Sequence, residues 1–359
     1  MNFPRDLYMR KARSENHSLS FVRDTLDYAD NLMRNNLPVI FSPKHFALLC
    51  GIEYSKLQSI VANRNYHYSH YLISKKRGGY RSIMAPYRDI KELQKWIKIN
   101  ILDKIQFGPC VTGFVKERSI LDNAKIHENQ EVILNLDLSN FFETINERRV
   151  YGVFKSLGYA PNVAFEFAKI CTASTIEVMS NNDPDHANDP YDVYMEPVLI
   201  QGAPTSPGIS NIICKRLDKR LLGLANKLGV SYSRYADDIT FSGKAEDIPK
   251  ISLIKKIIEE EKFAINWDKV GKYKVGQRQM VTGLLINDGV RIPQKYKRDI
   301  YRHLHFCKKY GAVSHFNRIN PDKGYGKDWL LGKILFVHSI EPVEAKKMMA
   351  MVQQIDWGI

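Results

Sequence analysis

Tyr235-Ala236-Asp237-Asp238 sets two adjacent carboxylates between two strand-like runs, 230–234 and 239–241, and a further acid, Asp137, ends the apolar run 131–136. Like charges about 4 Å apart repel by about 1 kcal/mol in water and by about 4 kcal/mol near a protein surface, so bare acids flanked by apolar strand are costly. A bound divalent cation turns that cost into affinity. Magnesium takes oxygen ligands and typically uses one or two carboxylates together with substrate phosphates. Two such ions stabilise the attacking and leaving oxygens of an in-line phosphoryl displacement. Asp237-Asp238 reads equally as an acidic hairpin turn, since Asp is common where strands reverse. The sequence on either side is what separates the two readings.

Residues 131–136, EVILNL, read as a buried strand that delivers Asp137. Thr144-Ile145-Asn146-Glu147 reads as a capping box opening a helix to about Leu157, where Gly158 stops it. Ser206 as N-cap, with Pro207 at the first helical position, opens another helix. Its apolar residues Ile209, Ile212, Ile213, Leu217, Leu221 and Leu224 run toward Gly229. The acidic hairpin follows directly, and a helix over 251–263 then precedes short strands at 264–266 and 280–286. This order predicts an α+β fold, a small and largely antiparallel sheet with helices on one face and its acidic strand ends at one edge, as in the palm of a right-hand polymerase.

On that plan residues 1–130 form an N-terminal helical region and fingers, 131–286 the palm, and 287–359 a helical thumb. The fingers carry the basic hairpin Lys75-Lys76-Arg77-Gly78-Gly79-Tyr80-Arg81. Within the palm, about 172–200 looks inserted. Its stretch 181–192, NNDPDHANDPYD, reads as a solvated acidic loop, although Asp183, Asp185, His186 and Asp189 are also metal-ligand types. In the thumb helix 294–310, Tyr296, Ile300, Leu304 and Cys307 make one apolar stripe, leaving Lys295, Lys297, Arg298, Arg302, Lys308 and Lys309 on other faces. That helix is either a solvated surface element or one lying along a phosphate backbone.

The 359-residue chain is 44% hydrophobic, enough for a sizeable core, and its net charge of +14 with 11% aromatic content favours polyanionic partners and base stacking over a membrane surface. No run reaches the length of a membrane span, and the amino-terminal stretch lacks an apolar signal core, so a cytoplasmic location is expected. Cys50, Cys110, Cys171, Cys214 and Cys307 form no CxxC pair and read as free thiols, mostly in the core.

In series these motifs make the chain resemble a reverse transcriptase over roughly residues 72–286. Leu136-Asp137-Leu138-Ser139-Asn140-Phe141-Phe142 looks like the family's first metal motif. The resemblance implies that Asp137, Asp237 and Asp238 are catalytic and hold two Mg2+ ions, with the Leu138 carbonyl as a further ligand. Phe142, five positions after Asp137, falls where these enzymes carry an aromatic ring that would clash with a 2′-hydroxyl. An ordinary apolar residue at the base of the palm would look the same. Gln201-Gly202-Ala203-Pro204-Thr205-Ser206-Pro207 is similar to the family's QGxxxSP loop, which implies that Gln201 and Gly202 lie against the incoming dNTP and template. Arg81-Ser82-Ile83 matches the fingers motif in which arginine grips the triphosphate, with Lys75 or Lys76 as second cation. Lys269 corresponds, on a looser match, to the family's later palm lysine.

Asn123-Ala124-Lys125-Ile126-His127 fits the NAxxH signature and Val281-Thr282-Gly283 the VTG signature of bacterial retron reverse transcriptases. The resemblance implies RNA contacts at Asn123, His127, Val281, Thr282 and Gly283, with Lys295, Arg298 and Arg302 of the thumb. It further implies a cognate structured non-coding RNA, partly copied into single-stranded DNA from a guanosine 2′-hydroxyl, and an effector protein acting with it against phage. The 73 residues after Ile286 are too few for a ribonuclease H domain, so template removal is expected to fall to a host ribonuclease H. Two other readings stay open: a group II intron-like or other bacterial reverse transcriptase, and a non-catalytic RNA-binding scaffold.

Overall fold

A computed structural model describes residues 3–74, 80–174, 176–179, 191–194, 196–319 and 326–358. The chain divides into two units that interleave in sequence. The first comprises Met1–Gly108, Leu138–Lys219 and Lys256–Ala264; the second comprises Pro109–Asp137, Arg220–Lys255 and Ile265–Ile359.

The first unit is mainly helical. Its first long helix, Leu19–Arg34, starts where the Ser18 hydroxyl accepts the Phe21 N–H. Rings of Phe46, Phe154 and Tyr159 stand edge-on around Phe167, which is fully buried. β1 (Tyr68–Ser74) and β2 (Tyr80–Pro86) form an antiparallel hairpin. Exposed Tyr71, Leu72 and Ile73 lie on β1. In the stretch about 172–200, expected to be an insertion holding the acidic loop, the described residues include two antiparallel strand pairs. Thr172–Ala173 pairs with Val198–Leu199, and Ile176–Met179 pairs with Tyr191–Tyr194. Tyr191 and Asp192, placed in the acidic loop from sequence, are therefore strand residues. Lys75, Lys76, Asp183, Asp185, His186 and Asp189 fall outside the described residues.

The second unit contains a four-stranded antiparallel sheet. β3 (Val132–Asp137) and β5 (Asp238–Gly243) are its central strands, β4 (Ser231–Tyr235) one edge and β6 (Gly271–Lys274) the other. β3 is buried on both faces, which is why its sequence runs apolar instead of alternating. An apolar cluster including Ile133, Val281, Ile300, Leu330 and Met348 joins the sheet to the helices Gln294–Tyr310, Gly326–His338 and Pro342–Val352. Lys297, expected on an open face, is buried instead, because Glu341 accepts both its ammonium at 2.7 Å and the Ile292 N–H at 2.7 Å.

Other local expectations shift for identifiable reasons. The cap of helix Glu147–Ser156 is Asn146, whose side chain accepts the Arg149 N–H, while the Thr144 hydroxyl turns back to the Phe141 carbonyl. The helix expected from Ser206 to near Gly229 is divided at Cys214 into Ser206–Ile213 and Lys215–Leu228. Ser206 is its first helical residue, and its hydroxyl donates to the Ile200 carbonyl instead of capping. The strand expected at 264–266 is reduced to a single β-bridge at Ile265, followed by a 3-10 turn, Trp267–Lys269, with β6 as the regular strand beyond it. The 280–286 stretch is a tight hairpin, Met280–Val281 against Leu284–Leu285, turning through Thr282 and Gly283 at φ 46° and 83°. None of the five cysteines is in a disulfide, and four are buried.

Candidate active site

Asp137 closes β3 and Asp238 opens β5, and the two are direct partners in the antiparallel register. Tyr235 pairs with Asp238, leaving Ala236 and Asp237 as a two-residue turn between β4 and β5. Ala236 takes φ 58°, a left-handed conformation that costs an alanine energy unless its surroundings impose it. Two neighbours do so. The fully buried Arg234 guanidinium donates from Nη1 to the Ala236 carbonyl at 2.9 Å. Beside the turn, Gly113 comes so close that a Cβ there would lie 2.5 Å from the Ala236 nitrogen. The Thr112 N–H donates to the Arg234 carbonyl, and the Arg234 N–H to the Cys110 carbonyl, so residues 110–112 run alongside β4.

The electrostatics of this rim are lopsided. Asp137 is buried, its Oδ2 accepting from Lys269 Nζ at 2.8 Å and its Oδ1 from Asn266 Nδ2 at 3.1 Å. Asp238 has its carboxyl pushed up to about 7, first by burial, then by the charges of Asp237 and Asp137; Lys269 pulls the other way. As a whole residue Asp238 stands open to solvent, so water softens the burial contribution and the like charges are the firmer cause. Among the described residues no three His, Cys, Asp or Glu side chains are arranged to hold a metal ion as they stand, and Lys269 and Asn266 occupy the Asp137 oxygens. The chemistry of the donors nevertheless fits a hard divalent cation: three carboxylates belong to one rim, where the charges of Asp237 and Asp137 add to burial in raising Asp238.

The remaining candidates sort into described and undescribed, open and buried. Leu138 is buried and Phe142 half-buried, its ring 5.4 Å from that of Phe141. Gly202 takes φ 119°, and a Cβ there would lie 2.8 Å from the Met84 carbonyl, while the Gln201 carbonyl accepts the Met84 N–H. Glycine at 202 is thus already required by the strand β2 beside it. Arg81 lies on β2 opposite Ile73.

Asn123 and His127, expected to contact RNA, are completely buried, which removes them from direct RNA contact. Val281 is buried in the core as well, and Thr282 donates to the Ile120 carbonyl at 3.1 Å, leaving Gly283 as the exposed member of the VTG triplet. Lys295 and Arg298 are exposed and, with Arg278, Gln277, Asn287 and Gln294, line an open hollow of about 540 Å³. Arg302 is exposed and paired with Asp299. Sequence reading does not single out Arg234, Gly113 or Asn266. For Arg234 a signal was available, an arginine inside a strand two residues before the acidic turn, because a buried cation needs fixed acceptors.

Comparison with known proteins gives the family of the chain. The family described as Reverse transcriptase (RNA-dependent DNA polymerase) matches residues 73–284. The retron Mx162 reverse transcriptase of Myxococcus xanthus is 31% identical over 350 residues, spanning 90% of this chain and 68% of its own length. The retron Mx65 reverse transcriptase of Myxococcus xanthus is 33% identical over 353 residues, spanning 96% and 78%. The retron Ec86 reverse transcriptase of Escherichia coli is 33% identical over 293 residues, spanning 79% and 84%. Among solved structures, a telomerase from Candida tropicalis in complex with a TWJ fragment of telomeric RNA aligns over 84% of this chain and 65% of that chain. Its 11% identity and TM-score of 0.43 are too low to add to the assignment.

The chain belongs to the reverse transcriptases, and its activity is RNA-directed DNA polymerisation. Within that family it is of the bacterial retron type. Among the described residues no helix is long and apolar enough to cross a membrane.

Proposed function

We propose that this enzyme copies part of a cognate structured non-coding RNA into single-stranded DNA, starting from a guanosine 2′-hydroxyl so that the product stays joined to RNA. The observation that carries the catalytic part of this reading is the direct pairing of Asp137 with Asp238, whose carboxyl is raised by burial and by the charges of Asp237 and Asp137. Two bound magnesium ions would activate the attacking hydroxyl and neutralise the departing phosphates. Asp137, Asp237 and Asp238 are the residues to hold them, which requires Lys269 to release Asp137. Arg81, with Lys75 or Lys76, grips the triphosphate, and Gln201 and Gly202 lie against the nucleotide. Phe142 excludes a 2′-hydroxyl by steric overlap, a discrimination that a smaller side chain would relax.

Fingers (1–130), palm (131–286) and thumb (287–359) are the working divisions on this reading. The hollow beside Lys295 and Arg298 suits an RNA backbone, with Arg278 adding a third cation. The biological setting follows the retron type: a cytoplasmic enzyme whose RNA–DNA product acts with an effector protein against phage, a host ribonuclease H removing copied template. Sequencing the nucleic acid that co-purifies with the protein tests the proposal. A DNA copy branched from a guanosine of a defined RNA supports it; RNA alone, or DNA unrelated to any bound RNA, overturns it.

A further inference from the structure

Five polar side chains of the second unit, Thr112, Asn123, His127, Ser233 and Ser242, are at most 1% exposed and take no part in the chemistry above. Buried polar groups are tolerated when each finds a partner, and here the partners are one another. Asn123 Oδ1 accepts from the Thr112 hydroxyl at 2.8 Å and from the Ser233 hydroxyl at 2.6 Å. His127 reaches Ser233 Oγ through Nε2 at 2.7 Å and Ser242 Oγ through Nδ1 at 2.7 Å. Proton counting fixes the directions. Ser233 has a single hydroxyl proton and gives it to Asn123, so its oxygen accepts from His127 Nε2–H. His127 Nδ1 is then an acceptor and takes the Ser242 proton. Burial pushes the imidazole down to about 3, which keeps this neutral tautomer at any working pH.

The placement of the two serines gives the chain of hydrogen bonds its meaning. Ser233 lies on β4 two residues before Tyr235, and Ser242 lies on β5 four residues after Asp238. In the register Ser233 stands opposite Thr240 and Ser242 opposite Ser231, so the two serines are diagonal neighbours on one face of adjacent strands. A slip of one residue would carry either serine to the other face and break the bridge. Thr112, at the far end, gives its one hydroxyl proton to Asn123 and holds β4 through its backbone, the Thr112 N–H donating to the Arg234 carbonyl at 2.9 Å. β4 is thereby pinned to helix Ile120–Lys125 and to the segment carrying Gly113, and β5 to His127 just past that helix.

We propose that Asn123 and His127 are positioning residues for polymerisation: they set the stagger of β4 on β5, and so the placement of Asp237 and Asp238 relative to Asp137, instead of reading RNA. The inference rests on the three aspartates being catalytic. It assigns the NAxxH motif a role in the rate of synthesis on every template. Displacing reacting groups by about 1 Å can cost roughly 100-fold in rate, so a loosened register is kinetically large even where the fold survives.

The test uses the full-length protein in primer extension on two substrates, its cognate RNA and a generic RNA template with a DNA primer. His127→Ala is expected to lower kcat on both by roughly 100-fold, leaving KM for dNTP and affinity for RNA unchanged and raising the magnesium concentration for half-maximal rate. His127→Gln, which offers one donor and one acceptor, should recover part of the rate. Thr112→Val should act like His127→Ala, while Thr112→Ser stays near wild type; this pair also serves if His127→Ala does not fold. Normal kcat on the generic substrate with weakened cognate binding would overturn the proposal in favour of RNA recognition. A loss that merely follows the unfolded fraction, with wild-type kcat and magnesium dependence in the folded remainder, would overturn it as well. Asp238→Asn run in parallel separates the two levels, because synthesis retained there would sink the catalytic reading itself.

Discussion

The acidic rim and the buried polar chain share the strands β4 and β5, and they treat polar side chains in opposite ways. At the rim three aspartates sit at the strand ends and turn, and the Asp238 carboxyl is pushed up to about 7 by burial and by the charges of Asp237 and Asp137. A few residues along the same strands, Ser233 and Ser242 are neutral, fully buried and hydrogen-bonded through one histidine. The first arrangement is electrostatically unfavourable and is kept for what it binds; the second is satisfied and fixes geometry. Strain is placed where ligand will relieve it, and the support for it is built from groups whose charge does not change with pH.

The largest effect that would break this contrast is catalytic. Asp237→Asn or Asp238→Asn should abolish cDNA synthesis while leaving RNA affinity near wild type, measured by primer extension and filter binding; synthesis by the double variant would show that the rim is not the reactive region. Next in size is the buried ion pair of the second unit. Glu341→Ala leaves Lys297 buried and unpaired and removes the acceptor of the Ile292 N–H, so unfolding stability in urea should fall by about 3 kcal/mol. Gly113→Ala would drive a methyl group against the Ala236 backbone and should cost about 1–3 kcal/mol, with a fall in kcat because the displaced atoms belong to the acidic turn. Unchanged kcat would separate the turn from its support.

The smallest effect is a pH slope without metal. Asp238 holds its proton up to about 7 in the folded chain but loses it near its ordinary value of about 4 when unfolded. Between those values the folded state binds more protons, so stability in EDTA should fall as pH rises through that window and level off above it. Asp238→Asn should remove this part of the slope, and magnesium should restore stability above pH 7. A metal-free stability curve identical in wild type and Asp238→Asn would mean that the rim carries no excess of negative charge.

How much of this was legible in the chain differs by region. The acidic turn, its flanking strands and the strand ending at Asp137 are readable because strand apolarity and turn composition are local properties. The strand pairs described within 172–200 are not, since 172–173 with 198–199 and 176–179 with 191–194 join residues distant in sequence. The cap at Asn146 in place of Thr144 and the break at Cys214 depend on what neighbouring turns leave available for hydrogen bonding. Lys297 follows the helical period of an open face and is buried because Glu341, 44 residues later, is there to meet it.

By itself the sequence determined the class of chemistry, because hard carboxylate ligands, a basic surface and the order of motifs follow from residue identity and spacing. Only the tertiary structure decided which polar members of those motifs face a ligand. Asn123 and His127 have the side chains of RNA contacts, and packing turned them inward, because whether a polar group is exposed depends on the partners that distant segments bring to it.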